Sequence, residues 1–334
     1  MKVKKPRYQE APILVVGATG QLGGRIVRRL RQRGRPVHAM TRPGANTRGI
    51  EGTGATLVHG DLTDARSIDA AVYGCRVVVA TANAVAPRDR STLQSVDRDG
   101  YRTLFDACKR HNVQQVVLIS VPQTPHDHRV PLFRSKRAQE AMLRDSGVVH
   151  TIFRAAPFMD DWFALIGSRL PARGDPAALI DRPWNFLQRF IGFVGDKIET
   201  RGLAIVPGSP QTTHDFIAID DVAEYMVRAI DLPAARNAVV DIAGPERLSW
   251  EQVAALYQQV LGRPVRCQPT PAALFRLQQL VMRPFSLAAS NIMALNWLAA
   301  RGMPVDGAPA ARAYGMTLQT AEQFLRAKAA LPAR

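Results

Sequence analysis

The amino-acid sequence predicts an α/β fold, in which a doubly wound parallel sheet is followed by a smaller, mostly helical C-terminal region. From residue 13 to residue 155, short β-branched runs alternate with amphipathic stretches of roughly 10 to 15 residues, as right-handed βαβ crossovers require. From Ser249 to Ala330, apolar residues recur instead with the period of amphipathic helices. A chain of 334 residues with 46% hydrophobic residues is long enough to bury such a core.

The first half of the chain is predicted to contain six strands and four helices. The strands are expected at residues 13–16, 36–41, 56–59, 77–80, 116–120 and 150–153. The helices are expected at residues 23–33, 65–72, 96–111 and 133–145. Six strands separated by helices in this way form a doubly wound sheet.

After Pro157 the regular alternation stops. Residues 158–202 are rich in Trp, Phe, Pro and Gly and are predicted to form a helical insertion. Further strands are expected at 203–206, 217–219 and 238–242 and further helices at 221–230, 250–261, 271–282, 287–301 and 317–329. The predicted organisation is a flexible basic N-terminus at 1–10, an α/β domain at 11–157 that resumes at 203–244, the insertion at 158–202, and a mainly helical region at 245–334.

Composition and charge narrow the class of protein. The net charge of +16 comes from 44 Lys and Arg residues spread along the whole chain, without a nucleic-acid-binding motif, so no nucleic acid partner is predicted. Neither a secretion signal nor an apolar run long enough to span a membrane is visible. Cys75, Cys108 and Cys267 lie far apart without a CxxC spacing and are predicted to be buried thiols. We therefore expect a cytoplasmic protein.

A glycine-rich turn joins the first predicted strand to the first predicted helix. Gly17, Gly20 and Gly23 give the pattern GxxGxxG, preceded by the apolar run ILVV and followed by RIVRRL. Without a Cβ, glycine permits the tight turn and lets backbone N–H groups approach a pyrophosphate at the helix N-terminus. Because the motif stands between a strand and a helix, it predicts a dinucleotide site. The turn residues assigned to this site are Gly17, Thr19, Gly20, Gln21, Leu22 and Gly23.

The residue at the end of the second strand selects the form of the dinucleotide. An acidic side chain there binds the ribose 2′-hydroxyl of NAD, whereas an arginine accommodates the 2′-phosphate of NADP. In this sequence the strand ends at Arg42, and no Asp or Glu follows until Glu51. The sequence therefore predicts NADPH as the cofactor, with a solvated loop arginine as the alternative interpretation of Arg42.

Two more segments follow strand ends at the same edge of the predicted sheet. Asp61 and Leu62 follow the third strand, where an aspartate can accept a hydrogen bond from the adenine amino group. Asp64 is the weaker candidate, because it can cap the helix that follows it. Ala82 and Asn83 follow the fourth strand and would let the backbone pass close to the bridging region of the cofactor, although such residues also suit any strand end.

These residues resemble a known family. GATGQLGG, the strand-end Arg42, GDLTD, ATAN, the long helix before VVLIS, and Ser135-Lys136 ahead of AAPFM are similar to the NmrA-like atypical short-chain dehydrogenase/reductase proteins, relatives of the isoflavone-reductase-like proteins. The resemblance covers roughly residues 11–265. It implies a Rossmann fold that binds NADPH in the domain at 11–157, with a substrate region at 245–334.

The resemblance also implies a catalytic lysine, with one departure. The superfamily pairs a tyrosine with a lysine four residues later, whose charge lowers the pKa of the phenol. Lys136 fits, but position 132 is Leu, and we expect Tyr101 and Tyr225 to point elsewhere from their own helices. Ser120 closes the fifth strand, and its assignment as the superfamily's serine is equally open. Lys136 is then either the acid or base of the reaction by itself or a group that only holds the nicotinamide ribose.

The sequence His126-Asp127-His128 could suggest a metal site. Histidines two residues apart in a polar, Pro-flanked loop are more typical of a solvated segment, and no third ligand is evident, so no metal is predicted. The loop follows the fifth strand, where the mouth of the site is expected. His126 or His128 is therefore an alternative proton donor in place of the missing tyrosine.

The insertion is rich in aromatic side chains. They are Trp162, Phe163, Trp184, Phe186, Phe190 and Phe193. They could pack the small domain onto the large one or line an apolar pocket above the nicotinamide. Interleaved with Arg182, Arg189 and Lys197, they could also form a peripheral contact with an anionic membrane.

The function predicted from the sequence is the NADPH-dependent reduction of a fairly large apolar carbonyl, enone or quinone-like substrate, with Lys136 near the transferred proton. The alternative is a non-catalytic NAD(P)-binding redox sensor, or a regulatory or assembly protein. Loss of the tyrosine is compatible with that alternative, because a sensor needs no proton donor. The partner expected for the reductase is a small apolar molecule.

Overall fold

The computed structural model describes residues 11–83, 93–181, 188, 192 and 194–332. It divides into two compact units. Unit 1 comprises Met1–Val121, Ser135–Arg154 and Val222–Val240, and unit 2 comprises Pro122–Arg134, Ala155–Asp221 and Asp241–Arg334. The predicted basic N-terminus at 1–10 lies outside the described residues, as do Arg182, Trp184, Phe186, Arg189, Phe190 and Phe193 of the insertion.

The strands are short, and most were expected from β-branched runs. They are β1 Ile13–Val16, β2 Val37–Thr41, β3 Thr56–His59, β4 Val77–Ala80, β5 Gln115–Ser120, β6 His150–Ala155, β7 Leu203–Pro207, β8 Thr213–Asp215, β9 Ala238–Ile242, β10 Arg247–Ser249 and β11 Arg266–Thr270.

The helices alternate with the strands in the first half of the chain and predominate after β11. They are α1 Gln21–Gln32, α2 Ala65–Val72, α3 Tyr101–Arg110, α4 Pro131–Asp145, α5 Met159–Leu165, α6 Lys197–Arg201, α7 Ile219–Arg228, α8 Trp250–Leu261, α9 Ala272–Met282, α10 Leu287–Ala299, α11 Ala308–Ala313 and α12 Ala321–Ala329. A π-helical segment, Leu93–Gly100, leads into α3. Among the described residues, no helix is both long and apolar enough to cross a membrane.

The main sheet has seven strands in the order β3-β2-β1-β4-β5-β6-β9. The pairs β1–β2, β1–β4, β2–β3, β4–β5 and β5–β6 are parallel. Every residue of β1, β4 and β5 is buried, because central parallel strands are covered on both faces. The strand order reverses between β1 and β4, where doubly wound folds bind their ligands at the carboxyl ends of the strands. The predicted fold class is confirmed.

Unit 1 is held by an apolar core between the sheet and its helices. Leu104 and Cys108 of α3 pack in the same cluster as Val78 of β4 and Leu118 of β5. Cys75 and Cys108 are buried free thiols, as predicted, and Cys267 is half-buried. Burial raises the pKa of the Cys75 thiol to about 12.

Unit 2 contains two small sheets, β8 with β10 (antiparallel) and β7 with β11 (parallel). Its core is aromatic. Phe163, Phe216 and Trp250 are fully buried, with ring centroids 5.0 Å apart for Phe163–Phe216 and 5.2 Å for Phe216–Trp250. Phe163 therefore packs within the core of unit 2.

Some predicted elements were wrong in type or in bounds. Residues 217–219 do not form a strand. Only Ile217 makes an isolated bridge, and α7 begins at Ile219, whose N–H donates to Asp160 Oδ2 at 3.0 Å. The carboxylate satisfies a helix N-terminal donor that the apolar pattern could not reveal. Strands β8, β10 and β11 were not predicted, because two are three residues long and the third contains Pro269. β7 pairs with β11, and unit 1 regains the chain only at Val222, later than the predicted resumption at residue 203.

Candidate functional site

The turn after β1 fits a dinucleotide because glycine is required twice. Gly17 has φ +89°, and a Cβ there would lie 2.7 Å from Thr81 Oγ1 and 2.8 Å from Ala82 N. A Cβ on Gly23 would lie 2.1 Å from the carbonyl O of Gly17. The turn therefore packs closely against the first turn of α1 and the end of β4, and a side chain at either position would displace backbone.

The N-terminus of α1 offers backbone donors to an anion. Gly20 precedes the helix without a side-chain cap, and the first turn carries no acidic residue. The N–H groups of a first helical turn have no partner within the helix, and the helix dipole favours negative charge there. Gln21 and Leu22 are buried in this turn, and Thr19 is half-buried beside it. This arrangement fits a pyrophosphate.

A matched pair of substitutions tests the turn. We expect Gly23→Ala to weaken NADPH binding about 10- to 100-fold, because an extra methyl in packed space costs about 1–3 kcal/mol. Gly24→Ala is the control, since its Cβ would meet its nearest neighbour at an ordinary 3.5 Å. Fluorescence titration with NADPH measures the affinity of each variant. Equal affinities for the two variants would show that the close packing of Gly23 does not shape the site.

Arg42 lies immediately after β2 and is exposed. Its carbonyl O accepts a hydrogen bond from Ala45 N at 3.1 Å, which starts a turn. In the same loop, Asn46 Oδ1 accepts from Arg48 N at 3.1 Å. Within the described part of the chain, no hydrogen bond or ion pair engages the Arg42 guanidinium. The position suits a 2′-phosphate, and this role stays a prediction.

The loop after β3 is ordered by its own aspartates. Asp61 Oδ1 accepts from Thr63 N at 2.8 Å and from Thr63 Oγ1 at 2.7 Å. Asp64 caps α2 by accepting from Arg66 N at 3.0 Å, which is the helix-capping role predicted for it. Leu62 is buried, and its carbonyl O would lie 2.4 Å from a Cβ on Gly100. The contact of Asp61 with adenine stays a prediction.

Lys136 lies on α4 with its side chain buried among polar partners. Nζ donates to the carbonyl O of Ile119 at 3.3 Å and to Oε1 of Gln139 at 3.0 Å. Gln139 Nε2 in turn donates to the backbone O of Asp97 at 2.8 Å and to its Oδ1 at 3.0 Å. Burial lowers the pKa of the Lys136 amine, against the opposing charges of Asp97 and Glu140. A lysine with a lowered pKa is a better acid or base near neutral pH.

The structure places Tyr101 differently from the prediction. We expected its helix to give it no reason to point at Lys136, but the Lys136 Nζ lies 5.7 Å from the centroid of its ring. The prediction for Tyr101 was wrong, and a π-helical segment ends directly before this residue, where the sequence predicted a regular α-helix from residue 96. Its hydroxyl donates to the carbonyl O of Ala82 at 2.6 Å, and burial raises its pKa well above the ordinary value. Tyr101 thus links the lysine to the segment after β4, where Asn83 is exposed.

Ser120 belongs to a buried ionic cluster at the end of β5. Its Oγ donates to Glu140 Oε1 at 2.6 Å. Arg137 and Arg154 form ion pairs with the same carboxylate at 2.6 Å and 2.7 Å. Burial alone would raise the pKa of Glu140, but the hydrogen bonds from Arg154 and Ser120 and the charge of Arg137 outweigh it and hold the pKa below its ordinary value. The cluster fixes Ser120 in a structural hydrogen bond.

The positions between β5 and the first turn of α4 lie in unit 2. Leu132 is buried, and its N–H donates to Asn291 Oδ1 at 3.0 Å. The His126 ring packs edge-on against Trp297, with centroids 5.3 Å apart, and His128 Nε2 accepts from Arg129 Nε at 3.1 Å. Among the described residues, no three His, Cys, Asp or Glu side chains are grouped as a metal site would need.

Unit 2 contains a cavity of about 600 Å³. Most of its lining is apolar and comes from α5, β7, α9 and α10, including Trp162, Ile166, Leu203, Phe275 and Met293. Lys197, Arg201 and Gln278 are among its polar residues. Cavities of this size and lining bind small organic molecules. Trp162 therefore lines an apolar pocket, and the predicted place of such a pocket above the nicotinamide stays a prediction.

The polar surroundings of Lys136 were not predicted from the sequence. They comprise Asp97, Gln139 and Glu140, and Tyr101 was expected to point elsewhere. Their spacing held a signal. Asp97 and Tyr101 are four residues apart, and Gln139 and Glu140 follow Lys136 by three and four residues. Polar side chains at these intervals share one face of a helix. On a helix whose neighbours are apolar, such a face indicates a buried polar cluster.

Comparisons with known proteins agree with the geometry. A family model described as the NmrA-like family matches residues 9–299. The "Photosystem II assembly factor Ycf39" of Cyanophora paradoxa is 26% identical over 79% of this chain and 73% of its own length. An "NAD(P)H azoreductase" of Xenophilus azovorans is 25% identical over 76% of this chain and 75% of its own length.

Solved structures share the fold. The "NADPH-dependent quinone oxidoreductase QOR2" of Escherichia coli, solved with NADPH, superposes with a TM-score of 0.70 at 19% identity, covering 94% of this chain and 98% of that one. Together with the family match, these findings confirm the resemblance and the NAD(P) cofactor predicted from the sequence.

Proposed function

We propose, from the premise that this chain belongs to the NmrA-like family, that it is an NADPH-dependent reductase of a fairly large apolar carbonyl, enone or quinone-like substrate. The observation that carries the proposal is the buried amine of Lys136. Its Nζ donates a hydrogen bond to the carbonyl O of Ile119 in β5. The hydroxyl of the neighbouring Tyr101 donates one to the carbonyl O of Ala82, after β4. The carboxyl ends of these strands form the edge at which doubly wound folds bind a dinucleotide.

In the proposed reaction, some residues of unit 1 bind the cofactor and another supplies the proton. The glycine turn and the first N–H groups of α1 bind the pyrophosphate, and Arg42 binds the 2′-phosphate. Bound NADPH supplies a hydride. The matching proton must come from the protein or from water. Protonated Lys136 can donate it, because its Nζ is held by Gln139 at 3.0 Å and burial lowers its pKa.

Two observations support the substrate class. The cavity of about 600 Å³ in unit 2 has an apolar lining suited to a ring system with an apolar body. Relatives include an azoreductase, and a protein of the same fold is a quinone oxidoreductase. Azo and quinone compounds are planar, conjugated and apolar, so they match the lining.

Arg42→Ala tests the choice of cofactor. We expect it to lower the affinity for NADPH about 10- to 100-fold and to leave the affinity for NADH within about twofold, because one charge-assisted contact is worth about 1.5–3 kcal/mol. Arg48→Ala, in the same loop, is the matched control. A parallel loss of both cofactors in Arg42→Ala would instead assign Arg42 to the structure of the loop.

A second candidate is a non-catalytic NAD(P)-binding sensor or assembly protein. One set of observations favours it. The hydroxyls of Tyr101 and Ser120 are engaged in hydrogen bonds of 2.6 Å each, and position 132 is a buried Leu. A relative is named as an assembly factor. In this alternative, Lys136 only holds the nicotinamide ribose.

The two candidates differ in cofactor affinity and in turnover. We would mix the full chain with NADPH and a panel of quinones, azo dyes and enones, follow nicotinamide absorbance, and titrate NADPH and NADP⁺ separately. A reductase consumes NADPH with at least one apolar class. Similar affinities for the two redox forms, together with no consumption on the whole panel, would favour the sensor.

A further inference from the structure

Exposed apolar side chains of unit 2 are concentrated on α9 and the turn that leads from it into α10. Ten large hydrophobic side chains of the described residues are exposed, and six of them lie between residues 274 and 287. The set defined here as the α9 apolar face comprises Leu277, Leu280, Val281, Phe285 and Leu287. Their exposed fractions range from 51% for Val281 to 84% for Phe285. Soluble surfaces rarely concentrate large apolar residues in this way unless something covers them.

The α9 helix is apolar on both sides. Phe275 and Gln279 face the interior, and Gln279 is tied to Arg129 O at 3.2 Å. Leu277, Leu280 and Val281 lie three and four residues apart and share the opposite side, as the helical repeat requires. The outer side of α9 is therefore an exposed apolar surface, and burying it would be favourable.

The segment of chain that carries this face has only positive charges. Residues 252–305 contain five arginines and no Asp, Glu or Lys. Arg276 lies within α9, and Arg283 directly follows it. Because no acidic side chain of this segment offsets the arginines, a negatively charged surface is the complementary one.

The cavity of unit 2 reaches the same helix. Leu274 lines the cavity and is 43% exposed, and Gln278 and Met282 of α9 also line it. An apolar molecule that leaves a hydrocarbon phase beside α9 would meet Leu274 at the cavity wall. Continuity between an exposed apolar face and an apolar cavity favours a lipid phase over a folded protein as the occupant.

We infer that the α9 apolar face docks onto the surface of a bilayer that contains anionic lipids. The side chains of Leu277, Leu280 and Phe285 enter the boundary between headgroups and acyl chains, and the exposed Arg283 contacts the lipid phosphates. Docking itself does not depend on reductase activity. Entry of a lipid-dissolved substrate into the cavity rests on the proposed function.

Vesicle sedimentation of the full chain tests the inference. We expect binding to phosphatidylcholine vesicles that contain phosphatidylglycerol, and at least about tenfold weaker binding of the double variant Leu277→Gln, Leu280→Gln, because two apolar side chains no longer insert. Leu57→Gln is the matched control, since Leu57 and Leu280 are both 53% exposed and Leu57 lies on β3 of unit 1. The control should bind like the wild type.

The charge contribution is tested separately. Arg283→Gln should weaken binding to the anionic vesicles about fivefold, as expected for one basic residue near the surface, and should leave binding to pure phosphatidylcholine unchanged. The loss should shrink at high salt, because screening removes the attraction.

Three outcomes would overturn the inference. One is the absence of wild-type binding to anionic vesicles. Another is equal binding by the double variant and Leu57→Gln. A third is a wild type that is a dimer in light scattering and a double variant that is a monomer, with no difference in vesicle binding, which would assign the face to a second copy.

Reductase activity is measured separately from docking. Oxidation of NADPH by a water-soluble quinone should be unchanged in the double variant. A wild type that binds vesicles but oxidises no NADPH would count against the proposed reductase and not against docking.

Discussion

Lys136→Met is expected to lower the turnover number about 10²- to 10⁴-fold, the range that a positioned general acid contributes. Methionine keeps the length and the apolar stem of the side chain in its buried position but removes the amine. The hydrogen bonds to Ile119 O and Gln139 Oε1 disappear, and no donor remains where Nζ lay. Stopped-flow oxidation of bound NADPH by a quinone measures the effect.

Three readouts separate an acid from a group that only holds the ribose. If Lys136 is the acid, Lys136→Met leaves the dissociation constant of NADPH nearly unchanged while turnover falls. If Lys136 only holds the ribose, the variant binds NADPH more weakly. Because protonated Lys136 is the active form and its pKa is lowered, wild-type turnover should fall as pH rises, with a midpoint below 10.5, and the variant should lose this limb. Lys109→Met, at an exposed position, is the control. Unchanged turnover in Lys136→Met would refute the acid role.

Glu140→Gln is expected to destabilise the protein by about 3–5 kcal/mol, because removing one partner of a buried ion pair leaves the others uncompensated. The Glu140 side chain is fully buried and holds Arg137 at 2.6 Å and Arg154 at 2.7 Å. Gln keeps the shape but not the charge. The free energy of unfolding in urea measures the loss.

The pH dependence of this loss has a definite sign. The folded-state pKa of Glu140 is below its ordinary value of 4.5, so its contribution to stability is present above that pH and is lost as pH falls through the folded value. The difference in the free energy of unfolding between the wild type and Glu140→Gln should therefore become smaller at acidic pH. Glu322→Gln, which breaks an exposed pair with Arg326, should cost less than about 1 kcal/mol. A similar cost for both substitutions would contradict the role given to the buried cluster.

The sheet and the glycine turn were predictable because their signals are local. The all-apolar runs at β1, β4 and β5 have the residue types of buried parallel strands, and all of their residues are buried. Gly17 and Gly23 were identified by their place between a strand and a helix, and each has backbone or side-chain atoms within 3 Å of where its Cβ would be. Asp64 was expected as a possible helix cap and is one.

What the sequence could not reveal depends on contacts distant along the chain. Tyr101 and Lys136 are 35 residues apart in the sequence and meet only through the tertiary packing of their helices. The start of α7 is capped by Asp160, 59 residues earlier in the chain. The cavity of unit 2 and the α9 apolar face are tertiary features, since the pattern of α9 alone does not tell which of its two apolar sides is covered.

The measurement that tests the central claim most directly is the single-turnover oxidation of protein-bound NADPH, compared with NADPH carrying deuterium at the transferred position. A reductase predicts oxidation by an apolar quinone or enone, a slower rate with the deuterated cofactor, and a further large loss in Lys136→Met. No oxidation of bound NADPH by any member of the panel, with equal affinities for NADPH and NADP⁺, would contradict a catalytic role for this chain.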